Sequence, residues 1–330
     1  MNLPLYWAMI IAFGVVMYVL LDGFTLGIGL MMPFFNDKEQ DLAMSVVMPT
    51  WDGNQTWLVL GAASLYGAFS KAFSTILPDL YIPLMIMLLG LLLRGISLEF
   101  RMKDPVKKHV WTQVFFIASV VVTLVQGILL GSYVQGFVGS GSTSPMAGFL
   151  VSPFSMMTGL SLLFGYALLG ATRLIKKTSG RMNEQMYRVS QYLVWVLAVM
   201  MCLVSLWTPY VHPEVKAIWF NHKHWVYLMW LPFVTFCLFV TALYCLHKKN
   251  NDNLPFRLII GMFLCPYIGF LISIYPYVIP YTMTIYQAAS PHPALVFLSI
   301  GGSIMVPILL IYTGYAYYVF RGKVDDALHY

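Results

Sequence analysis

Seven consecutive residues carry the densest polar chemistry beside an apolar span in this 330-residue chain: Trp51-Asp52-Gly53-Asn54-Gln55-Thr56-Trp57. A carboxylate, two amides and two indoles at the mouth of a helix are suited to holding or passing a proton. Asp52 also has an ordinary structural reading, because Asp is a favoured helix N-cap and suits the positive end of the helix dipole. Capping alone requires neither the amides of Asn54 and Gln55 nor the indoles of Trp51 and Trp57. On a helix, Asp52 and Gln55 share one face. Trp57, Gly61, Ser64 and Ala68 line another, whose small residues suit close helix contact.

Two other stretches answer this cluster. In Leu21-Asp22-Gly23-Phe24-Thr25-Leu26-Gly27, Asp22 falls near the middle of the first apolar run, about 15 Å from its inner end. Asp22, Thr25 and Gly29 share a face, while Gly23 and Gly27 form a small-xxx-small pair that lets another helix approach. In Leu93-Arg94-Gly95-Ile96-Ser97-Leu98-Glu99-Phe100-Arg101, Arg94 lies about 10 Å deep, with Ser97 and Arg101 on its face and Glu99 pointing elsewhere. An ionisable residue inside a span costs about 2.5–3.5 kcal/mol on insertion scales. Asp22 therefore reads as a packing carboxylate or a proton-path residue, and Arg94 as a snorkelling or an ion-paired cation. By depth, Asp52 and Arg94 both fall near the inner surface with Asp22 below. A paired, hydrated cluster of the three would lower their insertion cost and form a short polar inlet for protons.

The elements that must position these groups are membrane helices. The chain is 59% hydrophobic and only 10% charged, with mean hydropathy +0.76, too few charges to coat a water-facing surface. Nine spans are expected, at about 5–32, 54–71, 77–100, 111–131, 156–175, 188–208, 225–246, 256–276 and 294–320, all helical because lipid satisfies no backbone hydrogen bonds. The first is too long, and its start too poor in basic residues, for a cleaved signal. Lys and Arg gather after spans three, five, seven and nine, whereas 132–155 and 277–293 carry no charged residue. That asymmetry places the N-terminus outside and the C-terminus inside, with the acidic connection 37–41 as weak counter-evidence. The net charge of +6 thus answers to the membrane and calls for no nucleic acid.

Metal chemistry finds little support. Cys202, Cys237, Cys245 and Cys265 lie in or beside apolar runs without metal-ligand spacing. His212, His222 and His224 belong to an outer connection and read as solvated. His109, His247, His292 and His329 lie in loops or at span ends, so no histidine stands in mid-membrane to hold a haem. The last span ends in Tyr312, Tyr315, Tyr317, Tyr318 and Phe320, the aromatic belt expected at a membrane face.

At its three polar stretches the chain resembles subunit II of the cytochrome bd-type quinol oxidases, including the cyanide-insensitive branch. The carrying motifs are Leu21-Asp22-Gly23-Phe24 with Gly27 and Gly29, Trp51-Asp52-Gly53-Asn54-Gln55 with Trp57, and Leu93-Arg94 through Arg101. They are joined by Tyr275-Pro276-Tyr277-Val278-Ile279-Pro280 and Val306-Pro307 through Tyr312. The resemblance implies one all-α membrane domain over residues 1–330. It has a first four-helix bundle over about 5–131, a second over about 156–276 and a peripheral helix over about 294–320. It also implies residence in the bacterial inner membrane and a heterodimer with a subunit I that carries two b-type haems and haem d, with small accessory subunits in some complexes. In such a complex quinol is oxidised near the outer face and dioxygen is reduced to water with cytoplasmic protons, which generates proton-motive force. This chain would hold no haem or metal and would shape proton and oxygen access.

Carried onto this sequence, the resemblance makes Asp52 the foremost proton-path residue. Arg94 would hold Asp52 or a partner carboxylate, Asp22 would support the path, and Trp57 would line an oxygen route. Trp51, Gly53, Asn54, Gln55, Glu99 and Arg101 complete the motifs. Thr25 departs from relatives that carry a second acid there, which puts a path along that face of the first span in doubt. Two readings compete: a secondary transporter using Asp22 and Arg94, which would call for inverted repeats that the sequence lacks, and a purely structural subunit.

Overall fold

The computed structural model describes residues 2–136, 152–211, 213–220 and 228–324. The histidines of the outer connection (His212, His222, His224), most of the stretch 132–155 and His329 lie outside the described residues.

α1 (Leu3–Met31) starts at Asn2, whose side chain caps the Leu5 amide at 3.3 Å, with Pro4 in the first turn, where a missing N–H costs nothing. A 3₁₀ turn over Met32–Phe34 leads into α2 (Asp37–Val47), then α3 (Trp51–Ala68), α4 (Ser70–Lys103) and α5 (Lys108–Gln135). The second half holds α6 (Pro153–Lys177), α7 (Gly180–Val211), short α8 (Pro213–Trp219), α9 (Trp230–Lys248) and α10 (Leu254–Ile274). A small antiparallel hairpin, Tyr277–Ile279 with Met283–Thr284, precedes α11 (Ile285–Ala288) and α12 (His292–Val319).

Among the described residues eight helices are long and apolar enough to cross a bilayer: α1, α4, α5, α6, α7, α9, α10 and α12. The expected second span corresponds to α3, an 18-residue helix made less apolar by Asp52, Asn54, Gln55 and Thr56 in its first two turns. Several boundaries move. α3 ends at Ala68 rather than near 71, because Ser290 closes its C-terminus: its amide donates to the Ala68 carbonyl at 2.9 Å and its hydroxyl to Gly67 O at 2.8 Å. α4 and α7 extend well beyond the apolar runs at 77–100 and 188–208, since polar residues at an interface continue a helix as readily as apolar ones.

The acidic connection 37–41 is the first turn of α2 rather than a loop. Asn36 and Glu39 form a reciprocal capping box, each side chain bonded to the other's backbone amide at 3.0 Å. The apolar side of α2 (Ala43, Met44, Val46, Val47) is buried in the main core.

α1 is the axis of the packing. It touches α3, α5 and α6, while α6 also packs on α5, α7 and α10. α4 lies on α5, α9 on α10, and α12 runs beside α3 and α1. α1 and α6 meet backbone to backbone: a methyl group added at Gly27 would collide with the Tyr166 carbonyl, and one at Gly170 with the Gly27–Ile28 peptide. Gly23 meets the Tyr166 ring in the same seam, so the expected small-residue pair is used for helix approach. By contrast, α4 and α12 expose large apolar side chains (Ile82, Leu89 and Leu92; Phe297, Ile300 and Ile311) suited to lipid or a membrane neighbour.

Candidate functional site: a buried ion pair and its polar thread

Arg94 on α4 and Asp22 on α1 form the centre of the site. Arg94 Nη1 donates to Asp22 Oδ1 at 2.6 Å, and both side chains are fully buried. The ring of Trp51 lies 5.8 Å from the guanidinium carbon, and Gly95 leaves room for that indole beside α4. Burial of two opposite charges in one hydrogen-bonded pair is what a low-dielectric interior demands, since a single charge there would be strongly destabilising. Snorkelling is thereby excluded for Arg94. Arg94 does not pair with Asp52 as depth suggested, because its side chain reaches Asp22 on α1 while Asp52 is exposed on α3.

A polar thread leads from the pair across the first helices. The Tyr18 hydroxyl couples to the Asp22 carboxylate and accepts a 2.6 Å hydrogen bond from Gln126 Nε2 on α5. Gln126 Oε1 in turn accepts from the Tyr166 hydroxyl on α6 at 2.9 Å. Four helices thus contribute to one connected set. Arg94 Nε and Nη2 keep hydrogen-bonding capacity that no described group fills.

The Trp51–Trp57 motif divides between two surroundings. Asn54 is buried: Nδ2 donates to Leu21 O at 2.8 Å and to Thr25 Oγ1 at 3.4 Å, and Oδ1 accepts from the Tyr317 hydroxyl at 2.9 Å. Thr25 therefore serves as an acceptor on the face of α1 that receives α3. Tyr317 turns inward, unlike its exposed neighbours Tyr312, Tyr315 and Tyr318, so the aromatic belt loses one member to the site. Trp57 is buried, donates to Thr313 Oγ1 at 3.3 Å and meets Phe13 edge-on. Gly53 faces the Tyr312 ring, and Gln55 Nε2 is buried without a partner.

Asp52 goes the other way. The N-cap position belongs to Thr50, and Asp52 sits inside the first turn of α3, exposed and without an ion pair or hydrogen bond among the described residues. Two residues along a helix is about 200°, so burying Asn54 turns Asp52 outward.

Beyond the buried pair, Arg101 makes a second, half-open cluster. It contacts Asp41 Oδ1 at 2.8 Å, Thr112 Oγ1 at 2.8 Å and Gln40 Oε1 at 3.3 Å, while Lys108 reaches Asp41 Oδ2 at 2.6 Å. Partial burial opposes ionisation of Asp41, yet hydrogen bonds from Lys108 and Arg101 and their charges hold its carboxyl below the ordinary range. Ser97 is buried on the same face as Arg94 and Arg101 but bonds only its own helix, at Arg94 O. Glu99 points away, as its helical position requires, and pairs with Lys103 at 3.5 Å on the surface.

The polar stretches of α1 and α4 thus meet in one buried pair, with Trp51 of α3 beside it, within a membrane-helix fold, and known proteins resemble the chain along nearly its whole length. Residues 3–320 match the family described as cytochrome bd terminal oxidase subunit II. The chain belongs to that family. It is 26% identical to cytochrome bd ubiquinol oxidase subunit 2 of Bacillus subtilis, covering 97% of this chain and 96% of the relative. It is 22% identical to cytochrome bd-I ubiquinol oxidase subunit 2 of Escherichia coli K12, covering 96% and 94%. Its fold matches a chain in the structure of bd oxidase from Geobacillus thermodenitrificans with a TM-score of 0.83 and 17% identity, over 97% and 99% of the two chains.

As a bd oxidase subunit II, the chain is a multi-pass membrane protein of a family whose complexes use haem, and its donor set can be tested against that group. His109, His247 and His292 lie at the ends of α5, α9 and α12. No described cluster of three or more His, Cys, Asp and Glu side chains has the geometry of a metal site. Among the described residues no pair of histidines faces the interior of this subunit.

Residues that the motifs did not single out complete the site. Tyr18, Gln126, Tyr166 and Tyr317 each look like ordinary interfacial or packing residues in isolation. Gln126, an amide within an apolar run, carried the one usable signal.

Proposed function

We propose that this chain is the haem-free second subunit of a quinol-oxidising, dioxygen-reducing bd-type oxidase in the bacterial inner membrane. It would pair with a haem-bearing subunit I, with small accessory subunits in some complexes. The partner's two b-type haems and haem d would supply the electron transfer and oxygen reduction. Nine crossings, with α3 as the ninth, an outer N-terminus and two four-helix bundles flanked by α12 complete this reading. It is supported by the basic connections and by the packing of α12 on α3.

Asp52 takes up protons in this proposal. The supporting observation is the contrast within one motif: Asn54 and Trp57 are locked inside, while Asp52 presents an exposed carboxylate that is unpaired among the described residues. Asp22 and Arg94, closed on each other, hold α1 and α4 in the position that sets Asp52, Trp51 and α3, and their thread carries hydrogen-bond order toward α6. The same proposal places an apolar oxygen route along the Phe13–Trp57 wall. The structural reading has an observation of its own, the complete enclosure of Asp22 and Arg94.

The deciding experiment is Asp52→Asn in the intact complex, with quinol-driven oxygen uptake and haem content measured together. Proton-path function predicts a fall in turnover of roughly tenfold or more at normal haem content, with most activity kept in Asp52→Glu. Unchanged turnover in Asp52→Asn would leave the structural role.

A further inference from the structure

At the end of the bundle where α6 and α12 both finish, the chain folds back on itself. Val324 N donates to Lys177 O at 2.8 Å, which pins residues 320–324 over the last turn of α6. Beneath them is a cavity of about 170 Å³ whose polar lining includes Thr50, Arg173, Lys177 and Lys323 and, among the described residues, contains no acidic side chain.

The cations of this cavity are built in rather than scattered over the surface. Arg173 is 4% exposed, as is Lys177. The guanidinium of Arg173 stands within a cage of three rings, 4.7 Å from the centroid of Phe24, 5.2 Å from Tyr317 and 5.4 Å from Phe256. Its Nε is buried without a hydrogen-bond acceptor. Lys177 Nζ donates to the carbonyl oxygens of Phe320 and Gly322, which orient the ammonium but cancel no charge and leave its third N–H without an acceptor among the described residues. Lys323 spends its charge on Asp252 at 2.6 Å. Lys176, over the Phe256 ring at 5.7 Å, adds to the same positive field.

Arginine and lysine are almost never fully buried unless paired, and an uncompensated buried charge is strongly destabilising. Aromatic faces return part of that, but they supply no hydrogen-bond acceptor in the plane of the N–H groups. The missing component is an anion with several acceptor oxygens, small enough for the cavity and present at the level where membrane helices end. We infer that the Arg173–Lys177 cavity is a binding site for a phosphate group, taken from an anionic phospholipid headgroup or from free phosphate. Arg173 and Lys177 would donate the charge-assisted hydrogen bonds, with Thr50 as a neutral donor.

The test uses the intact complex in bilayers of phosphatidylcholine alone and of phosphatidylcholine with phosphatidylglycerol. The melting temperature is followed by tryptophan fluorescence, and phospholipids retained on the complex are counted by native mass spectrometry. A third arm titrates inorganic phosphate against chloride, at equal ionic strength, into the phosphatidylcholine sample.

The wild type should melt higher with phosphatidylglycerol and retain at least one anionic lipid. Should phosphate alone reproduce the gain, the physiological source is the free ion. Arg173→Gln and Lys177→Gln should each weaken the effect by roughly tenfold or more. Arg173→Lys, which keeps the charge and the fold should the Gln variant not assemble, should weaken it less. Lys103→Gln removes an exposed cation elsewhere and should leave the effect unchanged. The inference is overturned if neither anion shifts the wild type, or if the shift survives in Arg173→Gln and Lys177→Gln. It also fails if Asp325→Asn with Asp326→Asn destabilises the complex and anions then rescue it only in that variant, for the tail would then be the native counter-charge.

Discussion

Two buried arginines on different helices solve the same problem in opposite ways. Arg94 meets a carboxylate within the chain, Asp22, and the pair closes on itself. Arg173 meets three aromatic rings and, among the described residues, no carboxylate. The first arrangement balances its charge within the subunit and can fasten helices, although Arg94 Nε and Nη2 and Asp22 Oδ2 find no hydrogen-bond partner among the described residues. The second is complete only with something from outside, so it can report on what surrounds the protein. The regions also touch: Phe24 and Tyr317 of the Arg173 cage are, respectively, two residues from Asp22 and the hydrogen-bond donor to Asn54.

Removing one member of the closed pair should have the largest effect. Asp22→Asn leaves a fully buried guanidinium with no counter-charge, expected to destabilise by about 3–5 kcal/mol, read as lost complex yield and a lower melting temperature. Asp22→Leu with Arg94→Met should recover much of that loss. If the double variant is no better than Asp22→Asn, the pair does more than neutralise itself.

Next in size is the bridge between the two regions. Asn54→Ala removes the bonds to Leu21 O and to the Tyr317 hydroxyl and strands two buried groups, at about 1–3 kcal/mol each at most. It should also loosen the Tyr317 wall of the Arg173 cage. Protection from hydrogen exchange should therefore fall in α12 as well as in α3; a change confined to α3 would separate the regions.

Arg101 provides the solvent-facing contrast, since its partner Asp41 is 47% exposed. Hydrogen bonds from Lys108 and Arg101 hold the Asp41 carboxyl below its ordinary value of 3.8. The folded form thus gains stability above about pH 4 and loses it as pH falls through the lowered native value. Screened by water, that contribution should stay below about 1 kcal/mol. Asp41→Asn should flatten the melting temperature between about pH 5 and pH 3.

How much of this was legible in the sequence follows from what a linear pattern encodes. Helix spans were legible because lipid leaves the backbone no alternative, and the Arg94, Ser97 and Arg101 face because helical periodicity fixes it. The partner of Arg94 was not, since Asp22 is distant in sequence and depth alone could not choose between Asp22 and Asp52. The orientation of the Trp51–Trp57 motif was half legible: its importance was plain, but which amide or acid faced inward depended on where α3 meets α1. Arg173 was hidden for a different reason. Among the basic residues after a span it looks like a solvated topology marker, and only the returning tail at residues 320–324 buries its neighbourhood. The capping box of α2 was written in Asn36 and Glu39, yet charge counting drew attention away from it.

The seam of Gly23, Gly27 and Gly170 carries a mechanical consequence. Where main chains abut with no side chains between them, there is no cushion to compress and no rotamer to flip, so the two halves of the subunit cannot slide past one another. The middle of the molecule is therefore its stiffest part, and motion is cheaper where side chains rather than main chains fill the space between helices.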